Sequence, residues 1–203
     1  MKFVYRFFSH LYDIVFPPSK DARLVQTLDT VTIGKIYVCR SVDGVYTLSA
    51  YSDPRIRALV HEAKFKGNEH SFLLLGTLLS LHIGRLEHIN YILPIPLSKK
   101  RMRARGYNQV AEVVRRATCS PHTIIRTDIL ERSRDTQPQT ELQRAERLVN
   151  VRNAFGVADG SEITGKHIII IDDVMTTGAT LRAAKATLLQ HSPASVTCVA
   201  LAH

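Results

Sequence analysis

Ile168, Ile169, Ile170 and Ile171 form an unbroken run of β-branched apolar side chains. Such a run fits a strand covered on both faces, as in a parallel sheet. Two carboxylates, Asp172 and Asp173, follow it, at the strand end where open α/β sheets place their ligands. Next come Thr176, Thr177, Gly178, Ala179 and Thr180, small or hydroxylated, and then Leu181, Ala184 and Leu188 at helical spacing. A loop of small residues opening a helix can aim backbone N–H groups and hydroxyls at one phosphate. Carboxylates accept hydrogen bonds from sugar hydroxyls, so the stretch predicts a site for a ribose 5-phosphate. A near-match to a P-loop, Gly160 to His167, is set aside. It precedes a strand instead of following one, and His167 stands where the magnesium-binding Ser or Thr belongs.

The chain has 203 residues, the size of one ordinary domain with room for a small appendage. Its formal net charge of +9 suits phosphate-bearing partners, whether small ligands or nucleic acid. Cys39, Cys119 and Cys198 are widely spaced and form neither a metal pattern nor a disulfide framework, which fits a reducing cytoplasm. No stretch approaches the roughly 18 apolar residues of a membrane span. His10 and Asp13 interrupt the apolar N-terminal run, so no secretory leader is expected.

Along the chain, Phe3 to Val15 show helical spacing until Pro17 and Pro18, and residues 19–35 are weakly patterned, as in a linker. Segments 36–39 and 45–51, joined through Asp43 and Gly44, predict a β-hairpin. Asp53 and Pro54 cap a helix ending at Gly67, and a second helix is expected over 71–83. His61, His70, His82 and His88 match no zinc spacing and are read as surface residues. A short strand from Tyr91 ends near Leu93, because prolines 94 and 96 cannot sit in a central strand. Lys99, Lys100, Arg101, Arg103 and Arg105 follow, with a helix continuing to about Thr118. Five cations in seven residues at a strand end predict a pyrophosphate cradle. Residues 123–130 and 154–157 are expected to pair around an insert, 131–153. Its length and basic character suit a closing lid. A helix over 180–190 and a strand over 196–202 end the chain.

The Asp172–Thr180 segment with its strand resembles the phosphoribosyl-pyrophosphate (PRPP) signature of the type I phosphoribosyltransferases. A narrower resemblance covers roughly residues 45–203 and is to the ComF family, whose members include competence proteins. It is carried by Ile56-Arg57-Ala58-Leu59, Lys64-Phe65-Lys66-Gly67, Pro94-Ile95-Pro96-Leu97 and Arg105-Gly106-Tyr107-Asn108-Gln109. Arg134, Thr136, Gln139, Leu142, Arg147, Asn150, Val151, Ala154 and Phe155 extend it through the insert. The resemblance implies a mostly parallel α/β sheet flanked by helices. Residues 1–50 would be a small helix and hairpin appendage, and 51–203 the phosphoribosyltransferase-like domain. It also implies a role connected with DNA uptake or natural transformation. Members commonly carry a four-cysteine zinc element after the N-terminal Phe-Pro-Pro. Here Phe16-Pro17-Pro18 is followed by Ser19 and Lys20, no Cys-x-x-Cys occurs, and no zinc is expected.

A PRPP-dependent glycosyl transfer sets three tasks: hold the sugar, neutralise the leaving pyrophosphate, exclude water. Asp172, Asp173 and Thr176–Thr180 are assigned to the first. Arg103 and Arg105, near Pro96, Leu97 and Lys99, serve the second with a lid arginine such as Arg134 or Arg147. Mg2+ would arrive with the pyrophosphate, keeping several waters and needing no all-protein cage. The acceptor is unspecified. The competing expectation is a non-catalytic module gripping a nucleotide or single-stranded DNA through the same phosphate site, alongside competence proteins. Tyr107 and Phe155 are its main stacking candidates.

Overall fold

The computed structural model describes residues 19–132 and 154–203. The expected N-terminal helix, most of the insert 131–153 and the lid residues Arg134 and Arg147 lie outside the described residues.

Two short helices come first: α1 (Lys20–Gln26) and α2 (Thr30–Ile36). Each has a side-chain cap, Ser19 accepting from Ala22 N–H and Asp29 from Thr32 N–H. The weakly patterned segment expected as a linker is therefore helical, and it buries Val25, Leu28, Ile33 and Ile36 in the main core. The hairpin strands are β1 (Arg40–Val42), later than the expected 36–39, and β2 (Val45–Thr47), which starts where expected and ends earlier. Asp43 and Gly44 both adopt positive φ between them, as a two-residue turn of the favoured twist requires. The hairpin is built into the main sheet: β2 runs parallel to β8 (Ser195–Ala202).

Helices α3 (Pro54–Phe65) and α4 (Glu69–Ile83) follow, capped by Asp53 and Asn68. His61, His70 and His88 are exposed as expected, but His82 is buried, because the last turn of α4 faces the hairpin. Strand β3 (Tyr91–Pro94) leads to α5 (Lys99–Arg105) and α6 (Gln109–Arg115). The cationic run, expected to lie between the strand and its helix, is thus a helix of its own, ended by Gly106 in the left-handed region, and the helix expected to Thr118 stops at Arg115. The expected 123–130 strand also divides. Its start, β4 (Ile124–Ile125), joins the main sheet beside β3, whereas β5 (Leu130–Arg132) pairs antiparallel with β6 (Phe155–Val157). After a 3₁₀ turn at Gly160–Ile163, β7 (His167–Val174) enters the sheet and α7 (Ala179–Leu189) leads to β8.

The six-stranded sheet has the order β1-β2-β8-β7-β3-β4, parallel except for the hairpin. Strand β7 lies between β8 and β3 and is covered on both faces. Ile169 and Ile171 pack into the layer formed by α1 to α4 and α6, and Ile168 and Ile170 into the layer of α7, β5 and β6. The chain leaves β3 toward one edge and β7 toward the other, so strand order reverses between them. A ligand crevice is expected at such a point.

Candidate functional site

A cavity of about 320 Å³ opens at this reversal, over the carboxyl ends of β3 and β7. Strand alternation sends the two β7 carboxylates to opposite faces of the sheet. Asp173 follows Ile169 and Ile171 toward the helical layer. There its Oδ2 lies 2.6 Å from Gln109 Nε2 and 3.3 Å from Lys64 Nζ, while Oδ1 accepts from the Val174 backbone N–H at 2.7 Å. Asp172 follows Ile168 and Ile170 toward the other layer, accepting from Asp173 N–H at 2.9 Å. Burial, and next the charge of Asp173, push the Asp172 carboxyl up to about 7.

The β7–α7 loop forms the opposite wall. Gly178 is the N-cap of α7 at φ 69°, and no side chain caps that helix start. A Cβ at Gly178 would lie 2.8 Å from Arg182 Nη1, a side-chain tip that can move aside, so it is the left-handed φ that favours glycine here. Among the described residues, Thr177 Oγ1 reaches only Ala179 N–H, at 3.4 Å. Thr176, Thr177, Gly178, Ala179 and Thr180 all line the cavity, with the positive end of the α7 dipole behind them. Pro96 and Leu97 line it from the β3 side, where Ile95 N–H bonds the Ile171 carbonyl at 2.8 Å.

The cationic run is a helix capped by Ser98, and helical spacing decides which cations reach the site. Arg101 and Arg105, four residues apart, line the cavity. Lys99 and Arg103, the other such pair, are exposed and outside its lining. Arg105 donates to Gln109 Oε1 and lies 5.6 Å from the Phe65 ring centroid. Burial holds its pKa below the usual arginine range.

The sequence does not by itself assign Lys64, Gln109, Arg132, Met175 or Tyr51 to the site, yet each lines it. Lys64 and Gln109 stand in segments already noted for the family resemblance; what places them at Asp173 is tertiary packing. Tyr107 helps fix that packing. Its hydroxyl donates to the Ala63 carbonyl at 2.9 Å, and its ring lies against Gly67.

Among the described residues, no group of three or more His, Cys, Asp or Glu side chains could hold a metal ion. Asp172 and Asp173 are the carboxylates of the cavity lining, and Asp173 already has Gln109 and Lys64 as partners. A cation here would draw most of its ligands from water and from a bound phosphate compound. No helix among the described residues is long and apolar enough to cross a membrane.

Residues 104–203 match the phosphoribosyl transferase domain family. The chain is 30% identical over 156 residues to the DNA utilization protein YhgH of Escherichia coli K12, across 74% of this chain and 67% of that protein. It is 37% identical over 107 residues to competence protein ComFC of Bacillus subtilis, across 51% of this chain and 40% of that protein. To competence protein F of Haemophilus influenzae it is 29% identical over 151 residues, across 70% and 64%. Among solved structures, a hypoxanthine phosphoribosyltransferase from Staphylococcus aureus aligns with TM-score 0.39 and 17% identity, over 66% of this chain and 63% of that one.

Proposed function

The chain belongs to the ComF family of the type I phosphoribosyltransferase superfamily, and from that premise we propose that its cavity binds PRPP or a related ribose-5-phosphate ligand and transfers the phosphoribosyl group to an acceptor. One observation carries the proposal: at the sheet's reversal point, two carboxylates line one cavity with a helix start whose N-cap is a glycine, without a capping side chain of its own. The 5-phosphate sits on the Thr176–Thr180 loop, and the ribose hydroxyls donate to Asp172 and Asp173. Arg105 and Arg101 face the leaving pyrophosphate, where positive groups stabilise the charge that develops as the anomeric C–O bond breaks. Gln109 and Lys64 position Asp173. Bound Mg2+ would neutralise pyrophosphate charge, with Asp172 the carboxylate best placed to meet it.

The names of the relatives, competence protein and DNA utilization protein, support a role in the uptake or use of DNA. A second reading is a non-catalytic module for nucleotides or single-stranded DNA. The exposed cations Lys99, Lys100 and Arg103, turned away from the cavity, favour it. Thermal stabilisation by PRPP, nucleotides and short oligonucleotides, with and without Mg2+, separates the two when combined with pyrophosphate release across a panel of bases. Stabilisation by PRPP with base-dependent release supports the transferase. DNA binding that falls steeply with salt and survives Asp172→Asn supports the module.

A further inference from the structure

Away from the cavity, the hairpin and the end of α4 enclose a second chemical group. The exposed thiol Cys39 lies just ahead of β1. Its Sγ is 3.6 Å from Nδ1 of His82, which is only 4% exposed. Tyr37 Oη is 3.3 Å from the same nitrogen. The Tyr46 ring lies 5.2 Å from the imidazole, and the Arg85 guanidinium stands 4.9 Å from the Tyr37 ring centroid.

Burial, and then the charge of Arg85, hold the His82 pKa below its ordinary value, so the imidazole is neutral with one ring nitrogen open to accept a proton. The hydroxyl and the thiol can both donate to Nδ1, and they do so in the tautomer that carries its hydrogen on Nε2. Nε2 is buried and has no hydrogen-bond partner among the described residues. An imidazolium here would gain nothing at Nε2, so His82 is built to pass a proton on, not to keep it.

We propose that Cys39 is a nucleophilic thiol with His82 as its base, a site of thiol–disulfide exchange with small disulfides such as glutathione disulfide. His82 Nδ1 takes the Sγ proton as Sγ attacks one sulfur of the disulfide. The S–S bond breaks, its electron pair leaves on the second sulfur, and His82 returns the proton to that thiolate. Cys39 ends oxidised as a mixed disulfide, and one equivalent of small thiol is released.

The test uses the full reduced chain, glutathione disulfide as probe, and mass spectrometry to follow each cysteine. Cys119 is partly buried and Cys198 buried, so in the folded protein they report slow background reaction. Cys39 is expected to react at least about tenfold faster than either, and His82→Gln to slow Cys39 by about tenfold or more while the other two stay protected. Tyr37→Phe removes the competing donor and is expected to speed Cys39. An unchanged Cys39 rate in His82→Gln, with Cys119 and Cys198 protected, overturns the proposal. Should His82→Gln expose those two cysteines, Tyr37→Phe decides the matter: acceleration supports the proposal and an unchanged rate refutes it.

Discussion

Gln109 donates from Nε2 to Asp173 Oδ2 at 2.6 Å while its Oε1 accepts from Arg105. The direction of this bridge is fixed by its ends, since a guanidinium only donates and a carboxylate only accepts. Gln109 is 4% exposed and Asp173 7% exposed, so the bridge ties the carboxylate side of the cavity to its cationic side in a nearly dry setting.

Gln109→Leu keeps the bulk and removes both hydrogen bonds. Leaving buried polar groups without their partner costs about 1–3 kcal/mol each. Urea unfolding is expected to show a loss of about 2–6 kcal/mol for the two together, and calorimetric titration a weakening of PRPP binding by about fivefold or more. Unchanged affinity would remove Gln109 from the site's support.

The raised pKa of Asp172 gives stability a pH slope. Between the ordinary value of 3.8 and about 7, the folded state binds a proton at Asp172 that the unfolded state has released. Stability from this group is therefore full below the lower value and is lost as pH rises through the upper one. Asp172→Asn is expected to flatten that part of the Tm–pH profile and to raise Tm most on its alkaline side. A parallel profile in wild type and variant would refute the assignment.

Gly178→Ala tests the turn that opens α7. The left-handed φ sets the cost, since the Arg182 guanidinium tip can swing aside, so a destabilisation of about 1–2 kcal/mol is expected, with weaker binding of inorganic phosphate. Gly165→Ala, also at positive φ but with open space around its Cβ, is expected to leave phosphate binding unchanged. Equal effects on phosphate binding would show that backbone strain alone is being measured.

Gly76→Ala tests the packing of α4 against the end of α6. Its Cβ would lie 2.9 Å from the Arg116 carbonyl carbon and 3.0 Å from its oxygen. Backbone cannot yield as a side-chain tip can, so about 1–3 kcal/mol should be lost on urea unfolding. A neutral substitution would mean that the two helices separate freely.

The parts legible in the sequence are those governed by local rules. The Ile168–Ile171 run announces a strand buried on both faces, and Asp53-Pro54 marks the start of α3. The caps Ser19 and Asp29 are equally visible, but seven-residue helices carry too little periodicity to stand out beside them. What separates Arg101 and Arg105 from Lys99 and Arg103 is their helical phase, visible only when the cationic run is taken as a helix from its first residue. Asp173 and Gln109 are 64 residues apart and meet only because β7 inserts beside β3. The burial of His82 has the same origin, since it depends on where the hairpin packs.

The phosphoribosyl site proposed for Asp172, Asp173 and the Thr176–Thr180 loop stands or falls on isothermal titration of PRPP, with Mg2+, into the wild-type chain and the Asp172→Asn/Asp173→Asn variant at matched fold. Saturable one-to-one binding to the wild type is expected, with a loss of at least about tenfold, near 1.4 kcal/mol, in the variant. Equal affinity in the two proteins would remove both carboxylates from the site.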